Sequence, residues 1–436
     1  MEFLSVFILV ISFMFFIAIG TPVAWSIAIS SLLTILVSIP SLAAVTTIAQ
    51  RMATGLDSFS LLAIPFFILS GQLMTNGGIA DRLIRFAKTL VGSLPGGLAL
   101  INIISAMLMG AIAGSAMASA SAMGSILGPK MEKAGYDKEY GAAVNITSAT
   151  IGLVIPPSNV LIVYSLASGG VSIAALFLAG YIPGVLIGLF LMIVAAIWAK
   201  RKGYPTFKRS SISQIFKTFI DAFPSLLLLV IVIGGIVAGY FTATEASAIA
   251  VLYTLILGIA YKEIGIKNLP KILLESAKTS AVVMLLIAAS MSMSWIMSYE
   301  NIPQNMSDIL LSISDNRAVI LIIINLLLLF VGVFMDMTPA VLIFTPIFLP
   351  VVKSIGIDPI QFGIIMVLNL CIGLCTPPVG SVLFVGIGIV KTSIEEIIKP
   401  LLPLFIAMIF ALMLITFFPK ITLWLCLLYT SDAADE

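Results

Sequence analysis

The most constraining feature of the sequence is an apolar run that two consecutive prolines interrupt at its middle, and this run occurs twice. The first copy is residues 145–164, NITSATIGLVIPPSNVLIVY, and the second, 221 residues later, is residues 366–385, MVLNLCIGLCTPPVGSVLFV. A proline lacks the backbone N–H and clashes with the preceding turn, so each run is predicted to form two half-helices joined by an unwound link. Irregular backbone at membrane depth is tolerated only where it is buried in protein or lines a hydrated cavity. A matched pair of broken spans therefore predicts the binding site of a membrane transporter.

Composition excludes a soluble domain and most enzymes. Of the 436 residues, 61% are hydrophobic and 10% are charged, which indicates a polytopic membrane protein. The chain has no histidine, which excludes Ser-His-Asp and Cys-His catalysis and histidine-based zinc sites, and no enzyme activity is predicted. Cys371 and Cys375 lie in one apolar run and Cys426 in the last, so they are interpreted as small core residues, with a thiolate metal pair as the alternative.

The apolar runs predict an all-α fold of about ten transmembrane helices plus two re-entrant hairpins. Residues 98–127 and 318–353 are each about 45–54 Å long as helix, which is too short for two crossings of a core of about 30 Å. Both are also polar at the middle, so each is predicted to be a hairpin whose tip stops inside the membrane. The first predicted span serves as an uncleaved anchor at the N-terminus. The ten predicted spans are 3–20, 23–39, 59–75, 139–165, 171–198, 218–240, 244–261, 279–298, 361–390 and 398–426.

The 221-residue shift divides the chain into two halves. Residues 1–199 are predicted to form the first repeat, 200–217 a cytoplasmic linker and 218–426 the second repeat. Each half holds five crossings and one hairpin, and an odd number of crossings inverts the second half relative to the first. Residues 427–436 change abruptly to an acidic, small-residue composition, and they are interpreted either as a terminus without structure or as a segment foreign to the natural protein.

Positive charge predicts the orientation. With the linker in the cytoplasm, only Arg51, Arg317, Lys353 and Lys420 of the 22 lysines and arginines fall on the opposite side. Both termini are then predicted to be external to the cytoplasm. The amphipathic segments 41–57 and 262–278 match under the same shift and are predicted to be arm helices at the membrane interface.

Oxygen-bearing side chains cluster at the predicted hairpin tips and helix breaks. Hydroxyls, amides and freed carbonyls suit a small hard cation such as sodium, and the half-helix N-termini favour an anionic group on a substrate. Asp336 is the one carboxylate predicted deep in the membrane, where a charge costs at least about 3 kcal/mol, so it is a functional candidate, with a helix cap as the alternative. Close helix packing is the alternative for the small residues. The candidates are Gly114, Ser115, Ser119, Ser121, Ser158, Asn159, Asp336, Thr338, Pro339, Thr376, Gly380 and Ser381.

Several motifs together resemble the large membrane subunit (DctM-like, or M subunit) of tripartite ATP-independent periplasmic (TRAP) transporters. They are GLVIPPSN and GLCTPPVG at the breaks, GSAMASA and MDMTPA at the tips, DSFSLLAIPFFILSGQLM at 57–74 and FTATEASAIAVLY at 241–253. The resemblance covers residues 1 to about 425. It implies an importer in the bacterial inner membrane that carries C4-dicarboxylates, sialic acids or sugar acids, coupled to sodium ions and working by an elevator mechanism. It also implies two partners, a small four-helix membrane subunit (Q) and a periplasmic soluble substrate-binding protein (P), and neither ATP nor nucleic acid takes part.

The resemblance also implies the positions of the sites. One sodium ion is expected between the first tip and the first break, at Gly114, Ser115, Ser119, Pro156 and Ser158. A second is expected between the second tip and the second break, at Asp336, Thr338, Cys375, Thr376 and Gly380. The substrate anion is expected at Asn159, Asp336, Thr376 and Ser381.

Three other functions remain open from the sequence. A self-sufficient divalent-anion/sodium symporter would share this fold and transport without a soluble partner. An ion channel would need rings of like charge or a filter, neither of which is visible. An intramembrane enzyme would need a nucleophile with its base, or a metal cluster.

Overall fold

The computed structural model describes residues 2–314 and 316–432, and all regular secondary structure in these ranges is helical. A 3-10 helix at Phe59–Leu62 precedes α4. The first half of the chain forms α1 (Glu2–Ala18), α2 (Val23–Ser38), α3 (Ser41–Gly55), α4 (Ala63–Asn76), α5 (Ile79–Val91), α6 (Gly97–Ala113), α7 (Ala116–Lys133), α8 (Lys138–Ile151), α9 (Asn159–Ala167) and α10 (Ile173–Lys202).

The second half repeats this order of helices with two differences. Three helices of the first half, α7, α8 and α10, begin at residues whose numbers plus 221 are the first residues of α16, α17 and α19. The second half forms α11 (Ile212–Val237), α12 (Ala243–Ala260), α13 (Leu269–Tyr299), α14 (Ile302–Ile313), α15 (Arg317–Phe334), α16 (Met337–Ser354), α17 (Pro359–Gly373), α18 (Ser381–Val390), α19 (Ile394–Phe417) and α20 (Pro419–Asp432). The differences are that α13 spans the counterparts of α3 and α4, and that α20 has no counterpart in the first half.

Both hairpins and both breaks form as the sequence predicts. Helices α6 and α7 pack together and are joined by Gly114 and Ser115, and α15 and α16 are joined by Met335 and Asp336. The unwound links are residues 152–158 between α8 and α9, and 374–380 between α17 and α18. The prolines at the centre of each link account for the breaks, because they remove two backbone donors from the helical ladder.

Eight helices are long and apolar enough to cross a membrane within the part of the chain that the structure describes. Six of them coincide with predicted spans, and the other two are the hairpin arms α15 and α16. The shorter apolar helices include α1, α2 and both halves of the second break. The chain is therefore an all-helical, multi-pass membrane protein.

Two segments differ from the sequence prediction. The second arm segment, 262–278, does not form a separate helix, because residues 269–278 are the first turns of the 31-residue α13. The predicted span 398–426 is two helices, since Pro419 ends α19 at Phe417 and begins α20. Of the tail 427–436, α20 includes the backbone to Asp432, and residues 433–436 lie outside the described residues.

The two halves meet at equivalent positions. The thiol of Cys371 in α17 donates to the carbonyl oxygen of Thr150 in α8 at 3.2 Å, and these two positions are 221 residues apart. Equivalent positions of the two repeats are therefore in contact where α8 packs on α17. The halves also exchange contacts: α7 packs on α18, and α16 packs on α9. The hairpins and broken helices thus form one packed body.

Candidate functional site

A cavity of about 430 Å³ lies where the hairpin tips meet the second halves of the broken helices. Helices α4 and α13 form its other wall. Its polar lining residues are Gln72, Thr75, Ser115, Asn159, Thr279, Asp336, Thr338 and Ser381, and Gly114 lies beside them. The structure therefore brings together both tips and both breaks, which lie up to 267 positions apart in the chain, from Gly114 to Ser381.

The first tip is closed against α9 by a glycine. Gly114 has a φ of +61°, in the left-handed region that favours glycine. A Cβ built at this position would lie 2.6 Å from Nδ2 of Asn159. A glycine is thus required both by the backbone conformation of the turn and by the close approach of the tip to the start of α9.

Two buried oxygens at this cavity have no hydrogen-bond partner among the described residues. They are Oδ1 of Asn159, the first residue of α9, and Oγ of Ser381, the first residue of α18. A buried polar atom without a partner costs about 1–3 kcal/mol, so such atoms are normally paired with protein, water or a ligand. The helix dipoles at these two N-termini favour an anion beside them. At α18, the amides of Val382 and Leu383 already donate to the carbonyl oxygen of Leu374. The arrangement can hold a small polar or anionic solute.

The two tips place different groups at one equivalent position. Ser115 and Asp336 are both N-cap residues, of α7 and α16, and their numbers differ by 221. Oγ of Ser115 accepts a hydrogen bond from the amide of Ala118 at 3.3 Å, so this hydroxyl caps its helix. The Asp336 carboxylate makes no capping bond of the kind that Ser115 makes, but it interacts with the amide of Met337, the first residue of α16, and it lines the cavity. Its position is therefore compatible both with a role at the start of the helix and with a role at the cavity.

The remaining predicted site residues do not line the cavity: Pro156, Ser158, Cys375, Thr376 and Gly380 lie in the links, Ser119 and Ser121 lie in α7, and Pro339 lies in α16. Pro156 packs near α10 at Gly180, and Gly380 is buried against the carbonyl of Leu374. Three side chains hydrogen-bond to nearby backbone: Ser158 Oγ to the carbonyl oxygen of Leu153 at 2.6 Å, Thr376 Oγ1 to that of Ile372 at 2.8 Å and Cys375 Sγ to that of Ile146 at 3.5 Å. Ser119 is also buried, and its Oγ has no partner among the described residues.

Three polar residues of the cavity were not identified from the sequence. Gln72 and Thr75 lie on α4, and Thr279 lies on α13. The available signal was a polar residue near the end of an apolar run, in 59–75 and at the start of 279–298. That signal is also typical of a residue at the membrane surface, and only the packing of α4 and α13 against the tips places these side chains at the cavity.

Comparison with known proteins gives the same assignment. A family profile described as the DctM component of tripartite ATP-independent periplasmic transporters matches residues 10–421. The chain is 54% identical to the uncharacterized protein YgiK of Salmonella typhimurium, over 96% of each chain. It is 40% identical to the sialic acid TRAP transporter large permease protein SiaM of Vibrio cholerae, over 86% of this chain and 88% of SiaM.

A solved structure supports the fold. The crystal structure of the Alcanivorax borkumensis YdaH transporter, described as having an unusual topology, matches with a TM-score of 0.65 at 13% identity, over 87% of this chain and 89% of that one. At this identity the likeness concerns the fold alone. Together with the family match over nearly the whole length, the broken helices and the paired tips, it leads to one conclusion: the chain belongs to the DctM family, the large permease component of TRAP transporters, and it is a transporter subunit, not an enzyme.

Proposed function

We propose that this subunit imports an organic acid anion, of the C4-dicarboxylate, sialic acid or sugar acid class, by sodium-coupled symport across the bacterial inner membrane. The observation that carries the proposal is the cavity shared by both tips and both breaks, with the unpartnered oxygens of Asn159 and Ser381 in its wall. A transported solute supplies the missing partners of these atoms while it is bound. The family's relatives that transport organic acids support the substrate class.

Sodium is proposed as the coupling ion because oxygen donors surround both tips. A small hard cation takes hydroxyl, carboxylate and carbonyl oxygens as ligands. The Asp336 carboxylate at the cavity would repel an organic anion unless a cation lies between them. We therefore place one ion between Asp336, Thr338 and the link 374–380. The other is placed between Gly114, Ser115, Ser119 and the link 152–158, where Ser119 contributes an unpartnered oxygen.

The substrate is placed against Asn159, Ser381 and the link around Thr376, and Asp336 faces it across the proposed sodium ion. Thr376 is half-buried, and its hydroxyl donates to a backbone carbonyl, so its remaining lone pairs are available as acceptors. The helix dipoles at the N-termini of α9 and α18 favour the carboxylate of the substrate beside them. Asp336 would act through the sodium ion and not by direct contact with the anion.

Movement by an elevator mechanism is proposed from the packing. The hairpins and broken helices of both halves contact each other directly, whereas α4 and α13 border the cavity from the opposite side. A body that holds most of the site and packs mainly on itself can slide past the helices that form the facing wall. The solute would then cross the membrane with the body.

The proposed partners are a small four-helix membrane subunit and a periplasmic soluble binding protein that delivers the anion. The family is tripartite by description, so this chain works with two other components. With the linker 200–217 in the cytoplasm, both termini are proposed to be periplasmic. A self-sufficient sodium symporter remains the alternative, and it differs by needing neither partner.

Reconstitution tests the proposal. Proteoliposomes that contain this chain and its small subunit should take up a radiolabelled organic acid only when the loaded binding protein and an inward sodium gradient are both present. An inward potassium gradient at the same concentration is the control, and added ATP should have no effect. Uptake by this chain alone would support the single-component symporter. Equal uptake with potassium would exclude sodium coupling.

A further inference from the structure

A second cavity of about 450 Å³ lies at the other end of the first hairpin, away from the tips. We call it the base cavity. It lies between the end of α7, the start of α8 and the end of α18. It shares no lining residue with the cavity at the tips, so it is a separate space. Its polar and charged lining residues are Asn102, Ser125, Glu132, Lys138, Asn145 and Lys391.

The base cavity exists because the first half has small residues where the second half has large ones. Under the 221-residue shift, Gly124 corresponds to Thr345, and Gly141 corresponds to Phe362. Phe362 is fully buried in α17, and Thr345 Oγ1 contacts Met366 Sδ at 3.2 Å, so side chains fill this region of the second half. In the first half, Gly141 leaves room beside Met131, and Gly124 lets Asn145 approach so closely that a Cβ there would lie 2.7 Å from its Nδ2.

The floor of the base cavity is polar and lacks partners. Asn102 is fully buried, and both its Nδ2 and its Oδ1 have no hydrogen-bond partner among the described residues. Asn145 is 2% exposed; its Nδ2 donates to the carbonyl oxygen of Ala120 at 2.8 Å, which leaves its Oδ1 without a partner. Leucine at position 102 would be the ordinary choice for a packed membrane helix, since an unpaired buried amide is costly. The floor therefore presents one donor and two acceptors to an occupant.

Two lysines and one carboxylate line the mouth of the base cavity. Lys138 and Lys391 are exposed there together with Glu132. Two further carboxylates, Glu139 at 3.8 Å and Glu396, interact with Lys138 and partly offset its charge, so Lys391 is the more available cation of the lining. Lys138 is the first residue of α8, so the positive dipole end of this helix lies at the mouth. An anionic group is favoured at this position.

We propose that the base cavity is a second ligand site, which binds a small anion that carries hydroxyl groups, such as a hydroxylated carboxylic acid. The anionic group lies between the two lysines at the mouth, because these are the cations of the lining. The hydroxyls lie at the floor, because the two unpartnered amide oxygens need O–H donors and a bare carboxylate has none. The volume is that of an ordinary small-molecule site. The headgroup of phosphatidylglycerol has the same chemistry, so the experiment distinguishes a free acid from a lipid.

The test uses the purified, full-length protein in detergent with a cysteine in place of Ser125, which is exposed at the cavity wall. The three native cysteines are buried, so a maleimide reports on this position. Modification is timed with gluconate, with succinate as the acid without hydroxyls, and with added phosphatidylglycerol. All buffers contain choline in place of sodium, so that sodium-dependent binding of cargo at the tips makes no contribution. The result is therefore independent of the proposed transport function.

Gluconate at about ten times its Kd should slow modification about tenfold by mass action, and succinate should have little effect. Asn102→Leu should abolish this protection while the protein keeps its thermal unfolding midpoint, and Lys391→Gln should weaken it. Lys353→Gln, at the position of the second half that corresponds to Glu132, is the matched control and should change nothing. Slowing by phosphatidylglycerol alone would identify a lipid headgroup as the source of the same chemistry. The proposal would be overturned if succinate protected as well as gluconate, or if Asn102→Leu left the protection unchanged. It would also be overturned if no probe protected the cysteine, because water alone would then satisfy the buried amides.

Discussion

At the scale of single residues, the two hairpin tips show how one helix position serves two purposes. Ser115 caps α7 through the amide of Ala118, whereas Asp336 at the equivalent position interacts with the first amide of α16, that of Met337, and lines the cavity. Placing a carboxylate deep in a membrane costs at least about 3 kcal/mol. The second tip therefore carries the more costly group at a position that borders the cavity.

The two hydroxyls at the tips should separate ion binding from helix capping. Thr338→Ala removes a hydroxyl at the cavity and should raise the sodium concentration for half-maximal uptake about 5- to 150-fold, corresponding to about 1–3 kcal/mol. Ser115→Ala should do the same and should also lower the thermal unfolding midpoint without sodium, because it deletes a cap. Thr46→Ala is the control, because the exposed hydroxyl of Thr46 donates to the carbonyl oxygen of Leu42 within α3. Unchanged sodium dependence in both variants would mean that the tips only pack.

The charge of Asp336 should matter more than the neighbouring hydroxyl. Asp336→Asn keeps the shape of the side chain and removes its charge, and hydrogen bonds or ion contacts with charged groups are about twice as strong as neutral ones. The shift in sodium dependence should therefore exceed that of Thr338→Ala when uptake is titrated with sodium in proteoliposomes. A smaller shift than Thr338→Ala would argue against an ion beside the carboxylate.

At the scale of elements, the first tip depends on a turn that only glycine fits well. Gly114→Ala places a Cβ 2.6 Å from Asn159 Nδ2 and holds alanine at a φ of +61°, which alone costs about 1–2 kcal/mol. The tip must shift away from α9, so uptake should fall at least about tenfold. Gly234→Ala is the matched control, since a Cβ there meets nothing within 4 Å. Normal uptake by Gly114→Ala would show that the contact between tip and α9 is dispensable.

At the scale of the whole molecule, the charge distribution predicts which side each loop faces. A cysteine at Thr206, exposed in the linker between α10 and α11, should react with a membrane-impermeant maleimide only after the cells are opened. A cysteine at Gln304, exposed in α14, should react in intact cells. The parent protein is the control, because its cysteines are buried. Labelling of the Thr206 variant in intact cells would contradict the proposed inverted orientation.

Much of the architecture could be predicted because its causes are local. The Pro-Pro pairs end α8 and α17, the glycine-rich and MDMTPA stretches end α6 and α15, and long apolar runs become long helices. The second arm does not form a separate helix because residues 271–299 contain neither proline nor glycine, so α13 continues without a break. Pro270 lies in the first turn of α13, where proline is tolerated. The break between α19 and α20 at Pro419 is not apparent from hydropathy, because the apolar run continues through this proline.

The sequence by itself determined the class of the protein, the two breaks, the two hairpins and the repeat that relates them, since proline, glycine and hydrophobic length act within a few residues. Only the tertiary structure decided which oxygens face a cavity. Ser158, Cys375 and Thr376 carry suitable atoms, yet their side chains bond to nearby or facing backbone, while Gln72 and Thr279 reach the site from helices that no motif connects to it. The base cavity, likewise, is closed by α18 of the second half, whose Ile389 lies beside Gly124 of α7. Whether a polar atom has a hydrogen-bond partner depends on how segments far apart in the chain pack together. The local sequence around the atom does not determine that packing.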